Sequence, residues 1–234
     1  RELYWAAGLT DVAECGRPFA GVGVESVVLV VCKGRPPPAV RIVDLGPDGA
    51  ARVVAETPTA AFGRLPNRNF STRLDEGTLR VLRRLEHAPR RLGDVAAVLT
   101  RGLECGKRDR AVRRFRPGPE LRPLVRGQDV HRYRLDDPAL GFDPAAASPR
   151  VLKDPAVYDA SPKILLRRVA PAVMAALDVE RRWALNAVYC LVPRPGISPR
   201  ALLGVLNSSV PSFWLRAVFL SDDRLFPYLR LSQL

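Results

Sequence analysis

Between residues 91 and 193 the apolar residues come in short bursts, DVAAVLT, ELRPLVRG, KILLRRVA and NAVYCLV, separated by Gly, Pro and Asp. A burst of this length crosses a sheet but is too short for a helix of three turns, and the residues between bursts favour turns. The segment is therefore expected to form a twisted, mostly antiparallel sheet. Upstream, SVVLVVC at 26–32 is an uninterrupted β-branched run, the pattern of a strand buried on both faces. The prolines of KGRPPPAV forbid a helix, and VRIVDL at 40–45 then reads as a second strand. GPDGAARVV turns into a third around Arg52–Ala55. The first sixty residues have the character of the closing edge of a sheet.

Helical spacing is confined to two places. TPTAAFGRLPNRNFSTR, 57–73, has no periodicity and reads as a linker or crossover. Past it, Leu74, Leu79, Leu82 and Leu85 mark one amphipathic helix with Ser71 and Thr72 as cap candidates. Near the other end Ser198 and Pro199 occupy N-cap and N1 positions ahead of ALLGVLNSS, and SFWLRAVFL is again apolar at helical spacing. The fold class expected is mixed α+β, closing on a helical layer.

Charge narrows the partner. The 234 residues hold 37 Lys and Arg against 24 Asp and Glu, a net charge of +13, and the pI is near 10.5. Such a balance suits a polyanion, with nucleic acid first. Nearly all the basic residues are Arg, which a GC-rich genome explains, but that bias does not produce the net excess. Cys15, Cys32, Cys105 and Cys190 stand singly, with the spacing of neither a zinc site nor a disulfide framework, and read as reduced thiols of a cytoplasmic protein. No apolar run is long enough for a membrane helix, and no metal site is expected.

Catalytic signals are thin. PFAGVGVE at 18–25 has the shape of a glycine loop that binds S-adenosylmethionine, but its glycines precede the strand VVLVV, and a cofactor loop must follow a strand and open a helix. His87 and His131 lack companions at triad or metal spacing, and Glu104 with Lys107 lacks the alternating pattern of a metal nuclease. What remains is binding chemistry. LTRGLECGKRDRAVRRFR gathers Arg101, Lys107 and Arg108 with further arginines, and Gly102 and Gly106 suit a loop that approaches a phosphate backbone closely. In LRPLVRGQDVHRYRL, Gly127 and Asp129 shape a turn or bulge. Arg126, Gln128 and Arg132 beside it offer the planar multi-donor groups that read base edges in a major groove. KILLRR adds Lys163, Arg167 and Arg168.

The order FAGVGVESVVLVVCKG, LTRGLECGK, LRPLVRGQDVHRYRL, SPKILLRRVAPAVMAALD, NAVYCLV, ALLGVLNSS resembles the C-terminal part of amino-type adenine-specific DNA methyltransferases of restriction-modification systems, ending in a TaqI-like specificity domain. The resemblance implies residues 1–60 as the last strands of a catalytic domain, 61–90 as linker and helix, and 91–234 as the target recognition domain. It implies double-stranded DNA as partner, S-adenosylmethionine as cofactor of a longer polypeptide with an upstream catalytic or nuclease domain, and Phe19 as the ring that stacks on a flipped-out adenine. The family's Asn-Pro-Pro-Tyr/Phe motif is absent, so a fragment inactive alone is expected. Two alternatives stay open: a non-catalytic specificity subunit of a multi-subunit restriction system, and an Arg-rich RNA-associated protein.

Overall fold

The computed structural model describes residues 8–21, 26–34, 36–46, 48–62, 74–106, 108–151, 155–219 and 229–231. The chain forms two compact units: Arg1–Ala88 with Trp214–Asp222, and Pro89–Phe213 with Asp223–Leu234.

The first unit is built on β1 (Leu9–Glu14), β2 (Val27–Val31), β3 (Ala39–Leu45) and β4 (Ala51–Pro58), hydrogen-bonded in the order β2-β1-β3-β4. β1 and β3 run parallel, and the other pairs are antiparallel. Alternation explains which side is dry: Val40 and Ile42 of β3 are buried while Arg41 between them reaches Asp11 at 2.6 Å. That contact holds the Asp11 carboxyl below its ordinary range, chiefly through the hydrogen bond from Arg41. α1 (Thr59–Phe62) follows β4 directly, and α2 (Glu76–Glu86) buries Leu79 and Leu82.

Three expectations need correction in this unit. The run at Val27–Val31 is a strand, but an edge strand whose Val27, Val28 and Val30 are 58%, 49% and 47% exposed. β-Branching reports fitness for a pleated backbone and does not say how many neighbours the strand acquires. The central place went to β1, whose sequence LTDVAE carries a weaker apolar pattern. Residues 57–62 are not linker, since β4 extends to Pro58 and α1 completes the stretch. Finally, α2 is capped by Asp75, whose carboxylate accepts from the Thr78 amide at 2.7 Å. Ser71 and Thr72 lie outside the described residues.

In the second unit α3 (Leu92–Val95) runs into β5 (Ala96–Arg101), followed by β6 (Val112–Arg114), β7 (Arg122–Val125), β8 (Val130–His131), β9 (Arg134–Leu135) and β10 (Leu140–Phe142). After α4 (Pro155–Asp159) come β11 (Lys163–Arg167), β12 (Ala175–Asp178), β13 (Trp183–Ala184) and β14 (Val188–Pro193), then α5 (Pro199–Asn207) and the start of α6 (Ser209–Val218), whose residues from Trp214 on belong to the first unit. The single sheet expected is divided. One antiparallel sheet has the order β12-β11-β14-β5, a second has the order β13-β7-β10-β6, and β8 pairs only with β9. β13 beside β7 is the one parallel pair of this unit among the described residues. Strands of two to four residues such as β13, β8 and β7 cannot extend a long ladder, so the chain stacks short sheets around a shared core instead.

That core contains Leu103, Leu124, Val125, Phe142, Tyr158, Leu165, Trp183 and Val188. Trp183 is its centre, with Phe142 stacked at 5.4 Å and Tyr158 tilted at 5.3 Å between ring centroids. Its indole N–H is satisfied by Asp159 at 2.8 Å, as burial of a tryptophan requires. α5 starts at Ser198 as the sequence indicates, the hydroxyl accepting from the Ala201 amide. At its other end Asn207 does what a neighbouring strand would do for the edge strand β12. Its amide accepts from the Ala175 N–H and donates to the Ala175 carbonyl, both at 2.9 Å.

Candidate nucleic-acid interface

The antiparallel register places four chain segments at one end of the β12-β11-β14-β5 sheet. Arg101 at the end of β5 faces Tyr189, Arg167 at the end of β11 faces Val188, and Ala175 at the start of β12 faces Leu166. Beyond these strand ends the backbone is tied into a rigid floor. Gly102 donates to Val188 at 2.8 Å, Leu103 to Ala184 at 2.7 Å, Leu185 to Val125 at 2.9 Å and Arg168 to Ala187 at 2.9 Å. Two glycines make this possible by size. A Cβ on Gly127 would lie 3.1 Å from both the Cβ and the carbonyl oxygen of Ala187, and one on Gly102 would lie 2.3 Å from the Ala184 oxygen. The glycine at the centre of LRPLVRGQDVHRYRL thus serves a close approach between two chain segments.

The result is a cleft of about 520 Å³ lined by Glu104–Gly106, Arg126–Gln128, Arg167, Val169 and Leu185–Ala187. Gly127–Asp129 forms a single 3-10 turn at its wall. The buried Asp129 carboxylate accepts from the Arg126 amide at 2.8 Å and from the Arg126 side chain through Nε at 2.9 Å and Nη2 at 2.7 Å. This raises the Arg126 guanidinium above its ordinary value and locks it in place. Asp129 occupies the Nε–Nη2 edge, so a ligand is met by the remaining Nη1–Nη2 edge, with both Nη1 hydrogens and the second Nη2 hydrogen. Gln128 projects as the exposed residue of the same turn. The Cys105 thiol also lines the cleft, but burial pushes it up to about 11, so it stays protonated at neutral pH and is no nucleophile.

The structure divides the sequence-nominated residues into groups. Arg126, Gln128 and Arg167 line the cleft, with Arg167 steadied by its own Nε donating to the Val169 carbonyl at 2.8 Å. Arg101 is exposed at the strand end, and Arg108 is exposed in the turn that follows Gly106. Arg168 donates to the Asn186 carbonyl at 3.1 Å and lies over the Tyr189 ring, 5.9 Å from its centroid. Lys107 falls outside the described residues. Arg132 donates to the Asn207 carbonyl at the C-terminus of α5, away from the cleft lining. Phe19 belongs to the first unit, 61% exposed on the connection between the antiparallel strands β1 and β2.

Lys163 must be withdrawn as a contact residue. It has no exposed surface, its ammonium lies 2.5 Å from Asp178, and it donates also to the Ala160 carbonyl at 3.2 Å. A lysine on the inward face of a central strand can persist only with such partners. Gly102, expected to approach a phosphate, is likewise buried against the chain's own backbone. Of the arginines between 101 and 116, Arg110 is bound to the Ala146 carbonyl and Arg113 to Asp143 at 3.1 Å. What sequence reasoning missed in the lining is Asn186, whose signal was a polar residue opening the burst NAVYCLV; Glu104, weighed there only for metal-nuclease chemistry, also lines it. Among the described residues no group of His, Cys, Asp and Glu could hold a metal ion, and no helix is long and apolar enough to cross a membrane.

Residues 122–234 match the TaqI-like C-terminal specificity domain. No curated protein sequence matches the chain. Among solved structures, the type IIG restriction endonuclease BpuSI aligns with 92% of this chain at 15% identity and a TM-score of 0.42. The aligned part is 35% of that protein, so the chain spans about a third of its length. The part of the chain that is similar to a TaqI-like C-terminal specificity domain, residues 122–234, carries the Arg126–Asp129 turn, the Arg167 strand end and α5.

Proposed function

We propose that the chain supplies DNA target recognition to a restriction-modification enzyme. The observation that carries the reading is the convergence of Arg126, Gln128 and Arg167 on one cleft, with Arg101 and Arg108 exposed on segments that border it. The family match over 122–234 supports it. In this reading Arg101, Arg108 and Arg167 meet phosphates and orient the duplex. Gln128, whose amide is not restrained by any hydrogen bond among the described residues, meets a base edge. Arg126 contributes its Nη1–Nη2 edge and its charge.

The finer reading is that the longer enzyme is an S-adenosylmethionine-dependent N6-adenine methyltransferase, with Phe19 stacking on the extruded base. The glycine pattern at 18–25 does not fit the cofactor: it falls between β1 and β2, two antiparallel strands, whereas a phosphate-binding loop leads from a strand into a helix.

The test is the salt dependence of duplex binding by the chain. Observed affinity should fall steeply as salt rises, with a slope of roughly −0.9 per neutralised phosphate. Arg167→Ala should reduce that slope by about one and weaken all sequences alike. Gln128→Ala should leave the slope unchanged and relax discrimination at one base position by roughly 1–3 kcal/mol. Anisotropy titrations against a sequence library measure both; a salt-independent affinity, or stronger binding to structured RNA than to duplex DNA, refutes the reading.

A further inference from the structure

The turn between β8 and β9 consists of two residues, Arg132 and Tyr133. Two-residue hairpin turns call for positive φ and are normally filled by Asn or Gly. Here Tyr133 adopts φ 64°, a conformation in which a bulky side chain is disfavoured, and the strain is not recovered by packing, since the residue is 60% exposed.

The surrounding structure fastens everything in this hairpin except the ring. The Tyr133 amide donates to the Ala175 carbonyl at 2.8 Å. Arg132 is anchored on the Asn207 carbonyl and Arg134 on Asp136. His131 Nε2 meets Asp136 at 2.8 Å, and Arg182 donates to the Asp136 carbonyl at 2.9 Å. The backbone bond to Ala175 also fixes where the ring stands. Ala175 begins β12 and pairs with Leu166 of β11, one residue before Arg167, whose own amide donates to Met174. Adjacent strands lie roughly 4.8 Å apart. The hairpin tip therefore stands at the same sheet end as the cleft, outside the edge strand β12, which separates it from Arg167 on β11.

We propose that Tyr133 is a base-stacking residue: a rigidly presented aromatic face for an unstacked nucleobase of DNA whose phosphates lie over the adjoining arginines. Cationic groups tracking a backbone beside a bare aromatic ring are the pairing that nucleic-acid grooves use, because every base has a π-face. The inference rests on the DNA-recognition reading and assigns within it a contact of different physics, one that carries no charge.

The experiment uses the whole chain with fluorescent random-sequence duplex DNA and the matching single strand, titrated by anisotropy at several salt concentrations. Tyr133→Gly and Tyr133→Ala should each lower affinity on the order of tenfold with the salt slope unchanged, while Tyr133→Phe stays within about twofold of the parent. Because glycine accepts positive φ, Tyr133→Gly should also unfold at the same or a higher urea concentration than the parent. Wild-type affinity in Tyr133→Gly overturns the proposal, as does a loss in Tyr133→Phe equal to that in Tyr133→Gly, which would make the hydroxyl the contact. A lowered urea midpoint in Tyr133→Gly would make the residue structural and overturn it too. Absence of binding by the parent chain sinks the DNA reading itself and this inference with it, a result distinguishable from the others.

Discussion

Lys163→Met should lower the free energy of unfolding by about 3–5 kcal/mol, the range expected when one partner of a buried ion pair is removed. The lysine and Asp178 are 0% and 1% exposed. Truncating the ammonium leaves a carboxylate on the adjacent strand with only two backbone donors, the Arg182 amide at 2.9 Å and the Glu180 amide at 3.2 Å. The penalty is the desolvation of a charge left without its counter-ion and should change little with salt, since buried pairs are poorly screened. Two further outcomes separate this role from the surface role that a lysine in a basic chain suggests. The double substitution Lys163→Met with Asp178→Leu should recover only part of the loss, because an apolar pair removes the lone buried charge but leaves the Arg182 and Glu180 amides without their acceptor. Lys163→Met measured below its unfolding transition should keep the parent's duplex affinity and salt slope. Urea denaturation and anisotropy give both; a fully stable variant with weakened DNA binding would restore Lys163 to the interface.

Gly102→Ala should be comparably damaging for a steric reason. The new Cβ would sit 2.3 Å from the Ala184 oxygen, 2.4 Å from the Leu185 oxygen and 2.7 Å from the Ala184 carbonyl carbon. All three are backbone atoms and cannot rotate aside. The segment 184–187 must move outward, which strains or breaks the bonds from Gly102 to Val188 and from Leu103 to Ala184. Overpacking of this kind costs about 1–3 kcal/mol, and each backbone bond lost adds about 1 kcal/mol, so a loss of about 3 kcal/mol or more is expected. Since Leu185–Ala187 line the cleft, the folded fraction should also bind duplex DNA more weakly. Gly204 is the control. It lies inside α5 with nothing within 4 Å of its would-be Cβ, and Gly204→Ala should stabilise the chain by about 0.5–1 kcal/mol without touching affinity. Denaturation midpoints of the two variants moving together would refute the steric account.

Both predictions concern residues whose roles could not be read from their neighbours in the chain. In KILLRR the lysine looks like the start of a basic cluster, and only the pairing of β11 with β12, which sets Lys163 opposite Asp178, turns it inward. Gly102 and Gly106 look alike in RGLECGK. The first is pressed against 184–187, a segment about eighty residues away in sequence, while the second lines the cleft. Arg126 and Arg132 lie six residues apart on either side of Gly127–His131, yet one is clamped at the cleft wall by Asp129 and the other caps α5. The Arg126–Asp129 pairing was within local reach, since a carboxylate three residues on can bond back to the amide and guanidinium. The contact of Arg132 with Asn207 was not.

What the amino-acid order determined by itself was local: strand-length apolar bursts, the Ser198-Pro199 helix start, the cationic excess, and the ordered segments that resemble a specificity domain. Those properties depend on backbone propensity, on side-chain periodicity and on counting charges, and each is settled within a few residues or over the whole composition. The tertiary structure alone decided which strand lies central and which at an edge, which cations are consumed by internal partners, and which two of them meet Gln128 at a cleft. Burial and pairing are properties of segments distant in sequence, and a side chain's availability to a ligand is whatever its folded neighbours leave over.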